Sequence, residues 1–357
     1  MKLSKNNLLT VLALVLVGFA ACKPEDDKPA TSYGSGVFIT NEGAFNGGTG
    51  TVSFYNRTVG SGGKDDIYGA VNAGAKIGNI LQSMTVHLGI GYLVVNNANK
   101  MIAVDPSSFA FASSADTGLS LPRNFLGLDA KRAYITEWGK DGVSGGIAIY
   151  DLATKTVASH FSTGGKGADR MLQVSTNRIW VAHSGGFGQD STIAIVDATG
   201  DSVLTKIQVG LAPNSLVADA NGDIWVLCGG YYNRSGGGKL LKIRGNAIEK
   251  SFDVPKNASS LISDATKSTL YFVADGKVYT KDILNFGANA PSVFLTNSAF
   301  GALNGLGIDP KTGYLYVADA KDYASKGKVY IYDTSKKSAV DSLSAGIVPN
   351  GFYFQSY

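Results

Sequence analysis

One strand pattern recurs seven times along this chain. It reads FITN from Phe38, VVNN from Val94, YITE from Tyr134, WVAH from Trp180, WVLC from Trp225, FVAD from Phe272 and YVAD from Tyr316. Successive starts lie 56, 40, 46, 45, 47 and 44 residues apart. A second apolar segment follows each copy: TVSFYN, MIAVD, IAIYD, IAIVD, LLKIR, VYTKD and VYIYD. The clearest unit is Gly313–Asp333, a strand at Tyr314–Ala318, a polar loop, and a second strand at Lys328–Tyr332 closed by Asp333. Val, Ile and Tyr at period two, bounded by Gly, Asp and Lys, mark a paired hairpin. A period of about 40–50 residues made only of strands is the signature of a β-propeller with one four-stranded blade per repeat. The sequence therefore predicts an all-β, seven-bladed propeller.

Blade five illustrates the four strands: A at Ser215–Ala218, B at Ile224–Cys228, C at Lys239–Arg244 and D at Ala247–Val254. Blade one has no strand A of its own, because Val37–Thr40 is already of B type. The missing strand lies at the other end of the chain. Pro349-Asn350-Gly351 leads into Phe352–Gln355, just as Pro213-Asn214-Ser215 opens strand A of blade five. The C-terminal strand is thus expected to complete blade one and close the ring, leaving no open edge. The 357 residues, 44% of them hydrophobic, then fit one closed domain over 33–357. The 45 glycines suit its many turns.

Residues 1–22 read as a signal segment. Lys2 and Lys5 precede the apolar run Leu8–Phe19, which is too short to span a bilayer. It ends Phe19-Ala20-Ala21-Cys22, which resembles the lipobox of bacterial lipoproteins, with Phe19 departing from the usual leucine. That resemblance implies lipidation at Cys22 and a membrane anchor of acyl chains; the alternative is an ordinary secretory signal with an incidental cysteine. Residues 23–32 (KPEDDKPATS) lack large apolar side chains and are expected to form a flexible tether. Glu25-Asp26-Asp27 resembles the signal that exports Bacteroidetes lipoproteins to the outer surface, and a solvated linker accounts for it as well. The expected location is the outer membrane, exposed at the cell surface. Net charge is +4, with no basic stripe, so nucleic acid is not an expected partner.

In a propeller the B–C and D–A loops share the face around the mouth of the central channel, and function concentrates on loops held by a rigid scaffold. The B–C loops carry Asn41, Glu42, Phe45, Asn97, Glu137, Trp138, His183, Phe187, Tyr231, Tyr232, Asn233, Arg234 and Tyr323. The D–A loops add Asn79, Asn124, Asn214, Asn304 and Asn350, with Arg123 and Arg170 alongside. Recurrent asparagine builds bends by tolerating the left-handed region. It equally lines a mouth with amides that donate and accept hydrogen bonds. Asp105, Asp151, Asp197, Asp282 and Asp333, ending strand C at the other end of the blades, read as turn residues. The three histidines (His87, His160 and His183) have no zinc spacing. Cys228 ends a buried strand, and two distant cysteines give no disulfide framework. No nucleophile elbow, P-loop or dinucleotide fingerprint occurs, so no metal, cofactor or catalytic set is expected.

The segments FITN, YITE, WVAH and YVAD resemble the YVTN-type, or surface-layer, seven-bladed propeller family over about Tyr33 to Tyr357. Phe38–Asn56, and Ile80–Asp105 with LVVNNANKMIAVD, resemble a Bacteroidetes subgroup of secreted propeller lipoproteins. Some members of that subgroup capture corrinoids (vitamin B12) and pass them to a TonB-dependent transporter. The resemblance implies a corrinoid as ligand. The tether, the lipidation site and the loop-rich face, with no competing catalytic constellation, suit a non-enzymatic surface binding protein, and the same asparagines and aromatics suit a glycan. Two other readings stay open. One is a calcium-dependent lactonase-like hydrolase using Glu42 or Glu137 with Asn124, Asn214 and Asn304; the other is a protein-interaction scaffold.

Overall fold

The computed structural model describes residues 32–231, 236–284 and 289–355. Cys22 and the tether up to Thr31 lie outside the described residues, as do Tyr232, Asn233 and Arg234. Seven antiparallel sheets follow one another along the chain. Blade five has strands Pro213–Ala218, Ile224–Cys228, Gly238–Arg244 and Ala247–Val254, paired in the order A–B–C–D. The five blades before and after it repeat that order, blade one excepted.

Strand B sits between two strands of its own sheet and two neighbouring blades, so its side chains are buried on both faces. Gly36–Asn41 and Ile224–Cys228 are buried along their whole length, which is why each repeat begins with a continuous apolar run rather than an alternating one. Seven apolar clusters fill the spaces between adjacent blades, one to each interface. The A strands touch one another in a closed cycle around the centre.

The ring closes where the last described strand meets the first. Pro349–Gln355 pairs antiparallel with Gly36–Asn41, setting Phe354 opposite Val37, Tyr353 opposite Phe38 and Phe352 opposite Ile39. Arg57 clasps the seam: its Nε lies 2.6 Å from Asp309 of blade seven, and its Nη1 donates to the Gln355 carbonyl at 2.8 Å. Blade one differs from the expected four strands. Beyond Thr51–Tyr55 its outer position holds a single bridge, Phe54 to Lys64. The segment there, GSGGKDD, offers no apolar alternation to build a strand. A five-residue helix, Ile67–Val71, instead buries Ile67 and Tyr68 against Phe38 and Phe54. This insertion is the origin of the long first repeat. At the C–D end all five aspartates cap their turns; Asp151, for example, accepts from the amides of Ala153 at 2.9 Å and Thr154 at 2.7 Å.

Candidate functional site

The A strands do not pair evenly. Each loses register with strand B near its start, for instance between Leu81 and Ser83, Pro213 and Ser215, and Leu303 and Gly305. The other four A strands shift at the same place. A β-bulge of this kind re-aims a side chain. In six blades a residue in the left-handed region precedes it: Ile80 at φ 60°, Leu121 at 50°, Gly167 at 60°, Ala212 at 53°, Asn257 at 59° and Val348 at 55°. That conformation is costly for the β-branched Ile80 and Val348.

Two residues beyond each of these, the chain presents a polar side chain to the centre: Gln82, Arg123, Asp169, Asn214, Ser259 and Asn350. Asn304 holds the matching place in blade seven. All seven line one central cavity of about 530 Å³. Two residues further down the strands, Met84, Met171, Leu216, Leu261, Leu306 and Phe352 supply an apolar floor. The result is a polar collar above an apolar base.

Hydrogen bonds tie the collar into two groups. On blades three and four, Asn124 donates to Asp169 at 3.0 Å, Arg123 lies 3.3 Å from Asp169, and Arg170 donates to Asn124 at 3.0 Å. The Arg123 guanidinium also stacks 4.0 Å from the Trp138 ring centre, and Trp138 meets Phe187 edge-on. On the other side, Asn350 donates to Glu42 at 3.1 Å and accepts from Thr40 at 2.6 Å. Burial raises the Glu42 carboxyl above the ordinary carboxylate range, against the opposing pull of Asn350, Arg123 and Asn304. A perturbed acid inside a cavity is the usual mark of a working site.

The cavity does not end at its mouth. Blade six turns from strand B to strand C through Asp275-Gly276 alone, both at positive φ, and this low turn leaves a notch in the face. A groove of about 480 Å³ runs through the notch past Lys256 and Tyr323, and it shares Ser259 and Asn304 with the central cavity.

The family described as a domain of unknown function, DUF5074, matches residues 35–357. The chain belongs to the DUF5074 family. No curated protein matches it by sequence. Among solved structures, a quinoprotein alcohol dehydrogenase-like protein from Bacteroides thetaiotaomicron is similar at 16% identity and TM-score 0.66, over 91% of this chain and 79% of its own. A candidate 6-phosphogluconolactonase from Bacteroides fragilis is similar at 10% identity and TM-score 0.65, over 90% and 98%. Hydrazine synthase from Kuenenia stuttgartiensis is similar at 12% identity and TM-score 0.56, over 70% and 74%. At these identities the likeness is one of fold.

In this DUF5074 propeller the residues expected from the sequence fall into distinct places. Glu42, Arg123, Arg170, Asn214, Asn304 and Asn350 line the cavity, and Asn124 bonds to the residues behind it. Tyr323 borders the notch, 54% exposed. Phe45 and Phe187 project from the face, 71% and 73% exposed. Glu137 lies apart in a shallow hollow beside His160, where burial raises its carboxyl. Asn79 and Asn97 serve loop structure, Asn79 donating to the Ala44 and Gly48 carbonyls and Asn97 to Asn79. Asn41 is fully buried and bonded to Ser53 and Thr51. His183 is fully buried as well, with each ring nitrogen on a threonine hydroxyl, Thr192 at 2.8 Å and Thr163 at 2.9 Å. The Tyr231 hydroxyl is engaged by the blade-four loop, accepting from the Asp190 amide and donating to its carbonyl. Gln82, Asp169 and Ser259 escaped the sequence reading. Their signal was positional, since each lies about one repeat from a neighbouring collar residue.

Proposed function

We propose that this protein is a non-enzymatic binding module whose ligand enters the collared mouth of the central cavity. One observation carries the reading: each of the seven inner strands delivers a polar side chain to the same cavity at the same register position. The strained backbone that delivers them supports it, because strain of this kind persists where a site requires it. A ligand rich in amides or hydroxyls matches the collar, its apolar portion matches the floor, and an extended body would follow the groove past Tyr323. In the finer form, drawn from the resemblance, the protein is a lipoprotein anchored at the outer-membrane surface through Cys22. It captures a corrinoid there and hands it to a TonB-dependent transporter. A broad corrin face would cap the mouth, where Phe45, Phe187 and Tyr323 stand exposed. Calorimetry with cyanocobalamin tests this form: the expected result is binding that weakens at least tenfold in Asn304→Ala. Absence of heat at micromolar protein would remove the corrinoid. The anchor is tested by Cys22→Ala, which should release the protein from the membrane fraction.

The grouping of Glu42 with Asn350 and Asn304 favours a second reading, a hydrolase using a divalent cation. Metal analysis of the purified protein, together with a calcium-dependent rise in melting temperature that Glu42→Gln removes, would support it.

A further inference from the structure

Charge is unequally answered around the cavity. Arg123 is engaged by Asp169, by Gln82 and by the Trp138 ring. Asp169 is engaged too, accepting from Asn124 on one oxygen and from Arg123 and Ser184 on the other. Glu42, the other carboxylate on the cavity wall, is held by Asn350 on blade one, across the ring from blade four. Arg170 stands differently. Among the described residues its hydrogen bond is to a neutral amide oxygen, that of Asn124, and no carboxylate lies within ion-pair distance of it. The side chain is exposed, and the surface it is exposed to is the cavity it lines. A guanidinium carries five N–H donors in a planar fork, so most of its donors face the cavity.

An arginine with a purely structural role would be expected to spend its donors on a carboxylate or a set of carbonyls, whereas Arg170 holds its fork in the cavity with one hydrogen bond to protein. The fork instead matches the two oxygens of a carboxylate or a phosphate group. We infer that Arg170 receives an oxyanion of the ligand inside the central cavity, so that the ligand is an organic acid or a phosphate ester whose neutral body meets the amides of the collar. This rests on the reading of the cavity as the ligand site. Arg123 and Arg170 share the single Asp169 carboxylate, which leaves one positive charge over on this wall; the anion is drawn to Arg170, whose fork makes no ion pair with it.

The test is thermal unfolding of the purified protein at constant ionic strength, with inorganic phosphate, succinate or neutral glycerol added to tens of millimolar. Phosphate or succinate should raise the melting temperature by at least about 2 °C while glycerol at the same concentration does not, since a ligand of the folded state stabilises in proportion to ln(1 + [L]/Kd). Which anion acts distinguishes a phosphate from a carboxylate ligand. Arg170→Gln should abolish the shift, yet melt without anion within about 2 °C of the wild type, because the side chain is exposed and makes one hydrogen bond, to Asn124. Lys336→Gln, on the opposite face, should keep the whole shift. The assignment is overturned if neither anion shifts the wild type, if Arg170→Gln keeps the shift, or if that variant alone melts well below the wild type. A shift kept in Arg170→Gln but lost in Asn304→Ala would overturn the arginine's role and leave the cavity as the ligand site. A shift kept in both would overturn both.

Discussion

The seam where the first and last described strands meet is held by a buried ion pair, and Arg57→Met tests how much the closure depends on it. Asp309 has no exposed side-chain surface, and Arg57 only 11%. Their contact is forked, with Nε to Oδ2 at 2.6 Å and Nη2 to Oδ1 at 3.4 Å. Removing one member of such a pair leaves a buried charge unanswered, at a cost of about 3–5 kcal/mol. Asp309 keeps the Lys311 amide at 2.9 Å, which places the cost near the lower end. Loss of the charge-assisted bond to the Gln355 carbonyl adds about 1 kcal/mol. The expected total is about 4 kcal/mol, to be read from the shift in urea midpoint at unchanged slope. The partner variant supplies the control. Adding Asp309→Asn to Arg57→Met removes the stranded charge and should restore at least half of the loss, whereas two independent effects would add. A single-variant cost below about 1 kcal/mol, the value of an ordinary surface pair, would refute the reasoning.

Three further outcomes follow from the structure. Deleting residues 349–357 strips blade one of its inner strand and exposes the Tyr316 surface on which Phe352 and Phe354 pack, so cooperative unfolding should be lost; a truncated protein melting within a few degrees of the intact one would contradict the closure. Burial holds the His183 ring at about 4, below its unfolded value of about 6.5, so its contribution is complete above pH 6.5 and declines as pH falls towards 4, by up to about 3 kcal/mol; His183→Gln should flatten that part of the stability profile, and parallel profiles would count against it. Burial pushes the Cys228 thiol up to about 12, so it should resist maleimide in the native protein at pH 7.5 and react only on unfolding.

The repeat made most of the architecture legible. Strand B is buried on both faces in every blade, and that requirement writes a run such as WVLC or YVAD strongly enough to read by eye. Closure was legible because Pro349-Asn350 copies Pro213-Asn214. The outer edge of blade one was not, since the helix at Ile67–Val71 fills the role of a strand without a strand's pattern. The site was half legible for a related reason. Asparagine at 214, 304 and 350 stands out as a turn residue, but the backbone that aims the collar is set two residues earlier, at Ile80, Leu121, Ala212 and Val348. Those residue types carry no turn signal at all. Nor does sequence show that the Tyr231 hydroxyl is already engaged, or that the His183 ring lies in the core.

What the collar holds argues for recognition rather than support. A position that only shaped the bend would be free to hold the same residue in every blade, as the C–D turns do with aspartate in five of them. At the mouth the seven equivalent positions instead read Gln, Arg, Asp, Asn, Ser, Asn and Asn. The backbone is repeated and the chemistry is not. The basic and acidic partners of the collar gather on blades three and four, while amides and a serine occupy the other five blades, with the Glu42 carboxylate beside Asn350 on blade one. The low Asp275-Gly276 turn opens the wall on that second side. A near-symmetric scaffold thus surrounds a cavity with an arginine-bearing wall, an amide wall that also carries Glu42, and one side opening. A ligand with an anionic end and a neutral, hydrogen-bonding body has one orientation that satisfies all three: the anion on Arg170, the body against Asn214 and Asn304, and its far end leaving through the notch beside Tyr323.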